Sequence, residues 1–276
     1  MAVIGIDLGT TNSLAGVWQD GKVVLIPNAF GEYLTPSVVG IGKNQEVFVG
    51  SVAKEMLATQ PYDTFREFKR NMGTNFLYGN GKKKYRAEEL SAFVLRRLKE
   101  DAEKFLGEEV TEAVISVPAY FDDNKRNATK NAGRLAGLKV ERLINEPSAV
   151  ALKHHTAEKG AESFIVFDFG GGTLDVSLVE AFDNVVEIQA VAGDNYLGGK
   201  DFNEIIAQDF YEQNQISEAY LTKNEQENVL KEAETVKKEL TDKNEAERQV
   251  YIKGEAYTLK MTNQRLIHLS AELFSR

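Results

Sequence analysis

The sequence predicts an α/β fold made of two similar halves that face each other across a cleft. Three observations carry this expectation. An apolar strand running into Asp, Gly and Thr occurs twice, as Val3-Ile4-Gly5-Ile6-Asp7-Leu8-Gly9-Thr10-Thr11-Asn12 and as Phe164-Ile165-Val166-Phe167-Asp168-Phe169-Gly170-Gly171-Gly172-Thr173. The two aspartates stand 161 residues apart (168 − 7), and each copy heads a three-strand meander. Between and after the copies, apolar strands alternate with stretches of helical periodicity.

Taken in order, residues 3–7 read as a buried strand, 9–12 as a turn and 13–19 as a second strand. Asp20-Gly21 is a two-residue hairpin signal, and Lys22 to Ile26 pair back. Residues 29–37 are loop-like, with Pro36 biasing Thr35 towards extended backbone. Short strands follow at 38–41 and 46–49, then a helix at 52–59 and a second short helix or turn at 63–70. Gly79-Asn80-Gly81-Lys82-Lys83-Lys84 imitates a phosphate loop, but Phe76 stands where the first Gly belongs and Lys83 where the hydroxyl belongs. It reads as a solvated hairpin tip.

Residues 88–106 form a helix, since Leu90, Phe93, Val94, Leu98, Ala102 and Phe105 recur every third or fourth position, with Gly107 as its stop. An apolar strand at 113–117 ends at Pro118, and Asp122 caps a helix to about Ala136. A strand at 140–144 leads to a helix with Pro147 in its first turn, running to about His154. Thr156 to Ala161 is the expected linker between halves. The second meander has strands at 164–168, 174–180 and 185–191, with a turn at Asp183-Asn184. Asp201 is expected to cap the next helix, and Thr222 with Glu225 forms a capping box for another. A hairpin over 249–261 turns at Gly254-Glu255, and Thr262 caps a last helix to Arg276.

Composition narrows the chemistry. The 276 residues are 42% hydrophobic and 27% charged, a soluble globular balance with room for two domains. The net charge of −9 argues against nucleic acid as the main partner. With no cysteine, disulfides and thiolate sites are excluded; with only His154, His155 and His268, a His-based zinc site or triad is disfavoured. No apolar run approaches about 18 residues, so no membrane span is expected. The amino terminus lacks a signal-peptide pattern, and the cytoplasm is the expected compartment.

The duplicated turn has a physical reading. Glycine lets the backbone approach a ligand closely, and successive N–H groups then converge on phosphate oxygens. Thr10, Thr11 and Thr173 add hydroxyl donors. Asp7 and Asp168, at the carboxyl ends of apolar strands, are poor phosphate neighbours alone but suit Mg²⁺ held through retained waters. One such turn could be an ordinary tight turn; two with matching flanks, one per half, point to facing phosphate clamps.

Five stretches carry a resemblance that covers essentially the whole chain in order. Asp7 to Ser13, Val117-Pro118-Ala119-Tyr120-Phe121, Leu143-Ile144-Asn145-Glu146-Pro147, Asp168 to Thr173, and Gly193-Asp194-Asn195-Tyr196-Leu197-Gly198-Gly199 resemble the nucleotide-binding domain of DnaK-type heat-shock chaperones. Leu25 to Ser37 is most similar to the HscC branch. The resemblance implies an actin-like (ribonuclease H-like) α/β fold, with duplicated lobes around an ATP cleft. Lobe I would span 1–159 with a small subdomain at about 38–86, and lobe II 160–276 with a small subdomain at about 198–276. It implies ATP and ADP as ligands, Mg²⁺, and ATPase activity in the intact protein. Implied partners are peptide or unfolded clients through a separate domain, a J-domain co-chaperone and an exchange factor.

The resemblance also assigns roles. Lys69 matches a lysine contacting the phosphates and attacking water, Glu146 a glutamate orienting water and metal shell, and Thr173 a hydroxyl near the γ-phosphate, with Asp168 in the catalytic set. Gly9, Thr10, Thr11, Asn12 and Gly170, Gly171, Gly172 match the phosphate loops. Gly198 and Gly199 match glycines against ribose and phosphates, and Glu234, Lys237, Lys238 and Thr241 the helix closing over adenosine. Without the resemblance, Lys69 beside Arg70 reads as solvated surface, and Glu234 with Lys238 as an i,i+4 pair. Pro118, Arg126 and Arg142 match positions that relay nucleotide state.

Several departures matter. The chain stops at Arg276, before the family's Gly-Gly-Ser adenosine loop and its peptide-binding domain, so the second lobe is expected to be incomplete, with exposed apolar surface. Residues 73–85 are short for the family, Lys238 replaces an adenine-stacking arginine, and Lys153-His154-His155 changes the hinge. Two alternatives stand beside the ATPase: a scaffold without nucleotide turnover, and an actin-like sugar kinase, which Val117 to Phe121 and Asn145 to Pro147 disfavour.

Overall fold

The computed structural model describes residues 2–79, 83–154, 160–182, 185–194 and 196–275. Its largest sheet grows from β1 (Ala2–Asp7), which buries Ile4 and Ile6 on one face. Two antiparallel strands, β2 (Asn12–Gln19) and β3 (Lys22–Ile26), extend it on one side. They turn at Asp20 and Gly21, both at positive φ, the geometry a two-residue hairpin needs. On the other side β8 (Val110–Val117) and β9 (Lys139–Asn145) add in parallel, giving the order β3-β2-β1-β8-β9.

Parallel neighbours require crossover connections. Helix α2 (Ala87–Leu106) precedes β8, and α3 (Asp123–Leu135) joins β8 to β9. The apolar stripe of α2 buries Leu90, Val94, Leu95, Leu98 and Ala102, and the helix stops at Gly107 in left-handed backbone. Asp122 caps α3 by accepting a hydrogen bond from the Lys125 backbone N–H.

The second sheet is an antiparallel meander of β10 (Glu162–Phe169), β11 (Leu174–Phe182) and β12 (Val185–Asp194). Its first hairpin repeats that of the first sheet in register. Gly5 pairs with Gly16 and Asp7 with Leu14 in one; Val166 pairs with Ser177 and Asp168 with Asp175 in the other, each position shifted by 161 (168 − 7 = 175 − 14). Helix α4 (Glu146–His154) starts where β9 ends and buries Ala151 against Val166 and Val179, linking the two sheets. Among the described residues β10 pairs only with β11, and its Ile165 and Phe167 are exposed.

Two smaller units stand above the sheets. One is β5 (Val38–Ile41), β6 (Val47–Val49) and β7 (Thr64–Arg66) with α1 (Ser51–Thr59). The other packs α5 (Gly199–Gln213) and α6 (Lys223–Glu239) against the hairpin of β13 (Glu245–Ile252) and β14 (Glu255–Thr262). Its core gathers Ile206, Phe210, Val229, Val236, Val250 and Leu259. Helices α1 and α6 meet across the cleft.

The structure corrects several local expectations. Of the short helix or turn expected at 63–70, a 3-10 turn forms at Phe68–Asn71 after left-handed Glu67 (φ 57), but Thr64 and Phe65 bury themselves on β7 beside β5. Thr35–Pro36 forms a short bridge, β4, to β2 rather than loop. Gly198, not Asp201, caps α5; Asp201 sits one turn in and accepts the Gly198 N–H at 2.7 Å. The later hairpin turns at Lys253-Gly254, both at positive φ, one residue early. The last helix breaks at Ser270 into α7 (Asn263–Leu269) and α8 (Ala271–Phe274). The linker at 156–161 and hinge residue His155 fall mostly or wholly outside the described residues, as do the turn at 183–184, Asn195, Arg276 and the tip at 80–82. Tyr78 and Tyr85 do bridge beneath that tip.

Phe68 is 1% exposed and anchors the 3-10 turn in the main core. Phe68→Ala is expected to cost about 3–5 kcal/mol, whereas exposed Phe76→Ala should cost under about 1 kcal/mol. Urea unfolding of the two variants checks the difference.

Candidate functional site

The two Asp–Gly–Thr turns come together at the cleft floor. The Gly9 N–H donates to Ser13 Oγ at 3.2 Å, and Ser37 Oγ donates to the Gly9 carbonyl at 2.8 Å. Ser13 and Ser37, both buried, share a hydrogen bond of 2.9 Å. This brace holds the first turn from below. The second turn faces it so closely that a Cβ on Gly171 would lie 1.9 Å from Thr11 Oγ1. A Cβ on Gly198 would lie 2.4 Å from the Gly172 nitrogen, because the start of α5 docks on that turn. There Gly199 N–H donates to the Gly170 carbonyl at 3.1 Å and Lys200 N–H to the Gly171 carbonyl at 2.9 Å. Only glycine permits such backbone approach.

Beneath the turns lie four carboxylates. Asp7 ends β1, Glu146 begins α4, and Asp168 and Asp175 face each other across β10 and β11. Ser116, beside Asp7 in the parallel register, donates to its Oδ1 at 2.8 Å. Lys69 comes down from the 3-10 turn and meets Glu146 Oε1 at 2.9 Å, its side chain 8% exposed. Burial raises the Glu146 pKa, against the pull of Lys69. Burial and the Asp7 charge raise that of Asp168. Burial, Glu146 and Asp168 push Asp175 up to about 6. Burial and the same carboxylates push the Tyr120 phenol up, so it stays protonated.

This floor carries more negative charge than its cations balance, which suits a bound cation. Among the described residues no three His, Cys, Asp or Glu side chains are placed to hold a metal ion directly. Asp7 and Asp168 fit a Mg²⁺ that keeps most of its water shell.

Ion pairs join the halves above the turns. Lys54 meets Glu234 at 2.9 Å, Lys231 meets Glu55 at 2.6 Å, Arg66 meets Glu227 at 3.1 Å and Lys200 meets Glu67 at 3.0 Å. Glu234 also takes Lys238 at 2.7 Å, the i,i+4 pair visible in the sequence. Burial works against its charge, but Lys238 and Lys54 outweigh it and hold Glu234 down to about 2. Burial lowers the pKa of Lys237, which donates to the Gly199 carbonyl.

Two cavities flank the turns. The larger, about 830 Å³, contains Asp7, Gly9, Lys69, Glu146, Asp168, Gly170 and Thr173 in its lining. The smaller, about 290 Å³, lies between α1 and α6 and is lined by Gly199, Glu234, Lys237 and Lys238. Thr10, Thr11, Asn12 and Gly171 line both. Gly172 and Gly198 back the second turn. Thr241 lines neither cavity: α6 ends at Glu239, and Thr241 falls in the following turn, its N–H on the Lys238 carbonyl. Pro118 lines the larger cavity; Arg126 ties α3 to β9 through Asn145 Oδ1 at 2.8 Å; Arg142 is exposed on β9.

Sequence reasoning missed Ser116, Glu67, Lys200 and Arg70. Arg70 donates to the Gly172 carbonyl across the cleft and lies 5.8 Å from the Tyr196 ring centre. Its i,i+3 contact with Glu67 is local, but the partners across the cleft lie more than a hundred residues away.

The Asp175 shift fixes a pH dependence. Its folded pKa is above the unfolded value, so its contribution to stability is full below about pH 4 and is lost as pH rises through about 6. Asp175→Asn is expected to raise the melting temperature of the ligand-free protein above pH 6, the gain fading towards pH 4. A melting series across that range checks it.

A family model described as Hsp70 protein matches residues 3–80 and 77–276. Its two stretches together take in nearly every element described above, including both meanders and both small units. The duplicated hairpin register, the mixed sheet and the shared cleft are accordingly those of an actin-like, duplicated-lobe nucleotide-binding domain, and the chain belongs to the Hsp70 family.

Proposed function

We propose that this chain is the ATP-binding and ATP-hydrolysing domain of a DnaK-type chaperone, on the HscC branch. The observation that carries the reading is the meeting of Lys69, Glu146 and both Asp–Gly–Thr turns in one cavity. Lobe I would be residues 1–159 and lobe II 160–276, their small subdomains at about 38–86 and 198–276. The work of the protein would be cytoplasmic, on unfolded or peptide clients through a separate domain. A J-domain co-chaperone would stimulate it, and an exchange factor would reset it.

In this reading the turns at Gly9 to Asn12 and Gly170 to Gly172 bind the phosphates through backbone N–H groups. Gly198 and Gly199 support the ribose and phosphates, and Glu234, Lys237 and Lys238 close the adenosine side, with Thr241 behind them. Asp7 and Asp168 would hold Mg²⁺ through water; when bound, the ion neutralises charge on the phosphate oxygens. Water attacks the γ-phosphorus as its bond to the β–γ bridging oxygen breaks, releasing ADP and inorganic phosphate. Lys69 positions that water and the γ-phosphate; Glu146 holds Lys69 in place and orients the water; Thr173 donates to a γ-oxygen. With Lys238 in place of arginine, adenine stacking should be weaker.

Lys69→Ala is expected to lower single-turnover hydrolysis about 100-fold or more while Mg-ADP still binds in titration calorimetry. Unchanged turnover would sink the assignment, and absence of any Mg-ADP binding by the parent chain would favour a scaffold role. Lys54→Ala, which removes one tie between α1 and α6, should speed ADP dissociation about two- to fivefold. Chase of a fluorescent ADP analogue measures it.

A further inference from the structure

The two cavities lie on opposite sides of the touching turns, and this gives the two products different surroundings. The wall between them is the Thr11–Gly171 contact together with the Glu67–Lys200 pair. Lys69 and Glu146 line the larger cavity and not the smaller, whereas Glu234, Lys237 and Lys238 line the smaller and not the larger. The smaller one is bordered by the ion pairs between α1 and α6. The larger one opens at exposed Phe76 and Tyr196, 54% and 70% exposed, and no ion pair between the halves is seen across that mouth among the described residues.

The charge along the larger cavity changes from floor to mouth. The floor is acidic: Asp7, Glu146, Asp168 and neighbouring Asp175. Arg70 stands beside Tyr196 at the mouth, and Lys125 lines the cavity with Phe121 and with Tyr120, whose phenol feels the carboxylates of the floor. The Phe121 ring has Lys69 Nζ at 5.8 Å and Lys125 Nζ at 5.3 Å, so the two ammonium groups flank one aromatic side chain. Tyr120 also lies 5.3 Å from Lys125 Nζ. Among the described residues Lys125 has no carboxylate partner and no side-chain hydrogen bond, so two rings hold its charge in place without neutralising it. Arg70 also lies over a ring, that of Tyr196, with its Nε buried without a partner, while Nη1 is 3.8 Å from Glu67 Oε2 and Nη2 donates to the Gly172 carbonyl.

We infer that inorganic phosphate leaves through the Phe76–Tyr196 mouth, guided from Lys69 to Lys125 and Arg70, while ADP stays behind the α1–α6 ties. This rests on the ATPase reading above. Once the β–γ bond is broken, the acidic floor repels the freed dianion, and Lys125, without a carboxylate partner among the described residues, attracts it outward together with Arg70. Phosphate release is then independent of nucleotide release.

The test compares three rates on the full chain: hydrolysis in quenched samples, phosphate release with a fluorescent phosphate sensor, and release of fluorescent ADP. Lys125→Met is expected to slow phosphate release about three- to tenfold, leaving hydrolysis and ADP release at their parent values. Lys125→Arg keeps the cation and should restore the rate. Hydrolysis with phosphate release unchanged in Lys125→Met, or phosphate release that always tracks ADP release, overturns the exit path alone. Absence of hydrolysis in the parent chain overturns the ATPase reading and the exit path with it.

Discussion

The cleft depends on one buried ion pair, Lys69 with Glu146, set among more carboxylates than it can balance. Taking two charges out of water is costly, and their attraction repays it only with good geometry. Here the geometry comes from far-apart pieces: Phe68 fixes the turn bearing Lys69, and the junction of β9 with α4 fixes Glu146. Neither residue could hold its place alone, because an unpaired buried charge is worse than none. The surplus falls on Asp7, Asp168 and Asp175, which explains why the folded protein resists ionising Asp168 and Asp175. Local stability is therefore given up where a cation and phosphates could restore it, a common arrangement at functional sites.

The other constraint is contact between backbones. The turns at Gly9 and Gly170 meet through Thr11 and Gly171, and α5 begins on top of them at Gly198. Such contact transmits position: a shift of one turn must displace the other or the start of α5. Above them the ties between α1 and α6 are partly exposed ion pairs, each weak by itself. The floor is thus rigid and the rim is breakable, so that opening at the rim does not require the floor to come apart.

Much of this was legible in the sequence because its signals are local. The 3.6-residue apolar period of α2, the Asp-Gly hairpin, the caps at Asp122 and Thr222 and the doubled strand–Asp–Gly–Thr motif all act within a few residues. Errors arose where tertiary contacts decided. Residues 64–66 became a strand because β5 offered an edge and a buried site for Phe65, which no helical period reveals. Asp201 serves from the third helical position, reaching back to the Gly198 N–H in a capping box, because the backbone at Gly198 docks on the second turn. In the site, Lys69 and Glu146 entered by resemblance, while Ser116 and Arg70 stayed hidden, since their importance lies in partners that only folding supplies.

The repeat itself shows how duplication becomes asymmetry. With registers identical under the 161-residue shift, Leu14 in the first hairpin corresponds to Asp175 in the second. Asp7 has apolar Leu14 opposite and accepts from Ser116, whereas Asp168 has a carboxylate opposite. The two acids of the second half, Asp168 and Asp175, therefore lie opposite each other, while Lys69 pairs with Glu146 within the first half. Neither half is a complete site: one brings Asp7, Glu146 and Lys69, the other Asp168 and Asp175, and the crowding of charge exists only when they face each other. A cleft built this way couples closure to whatever charge lies within it.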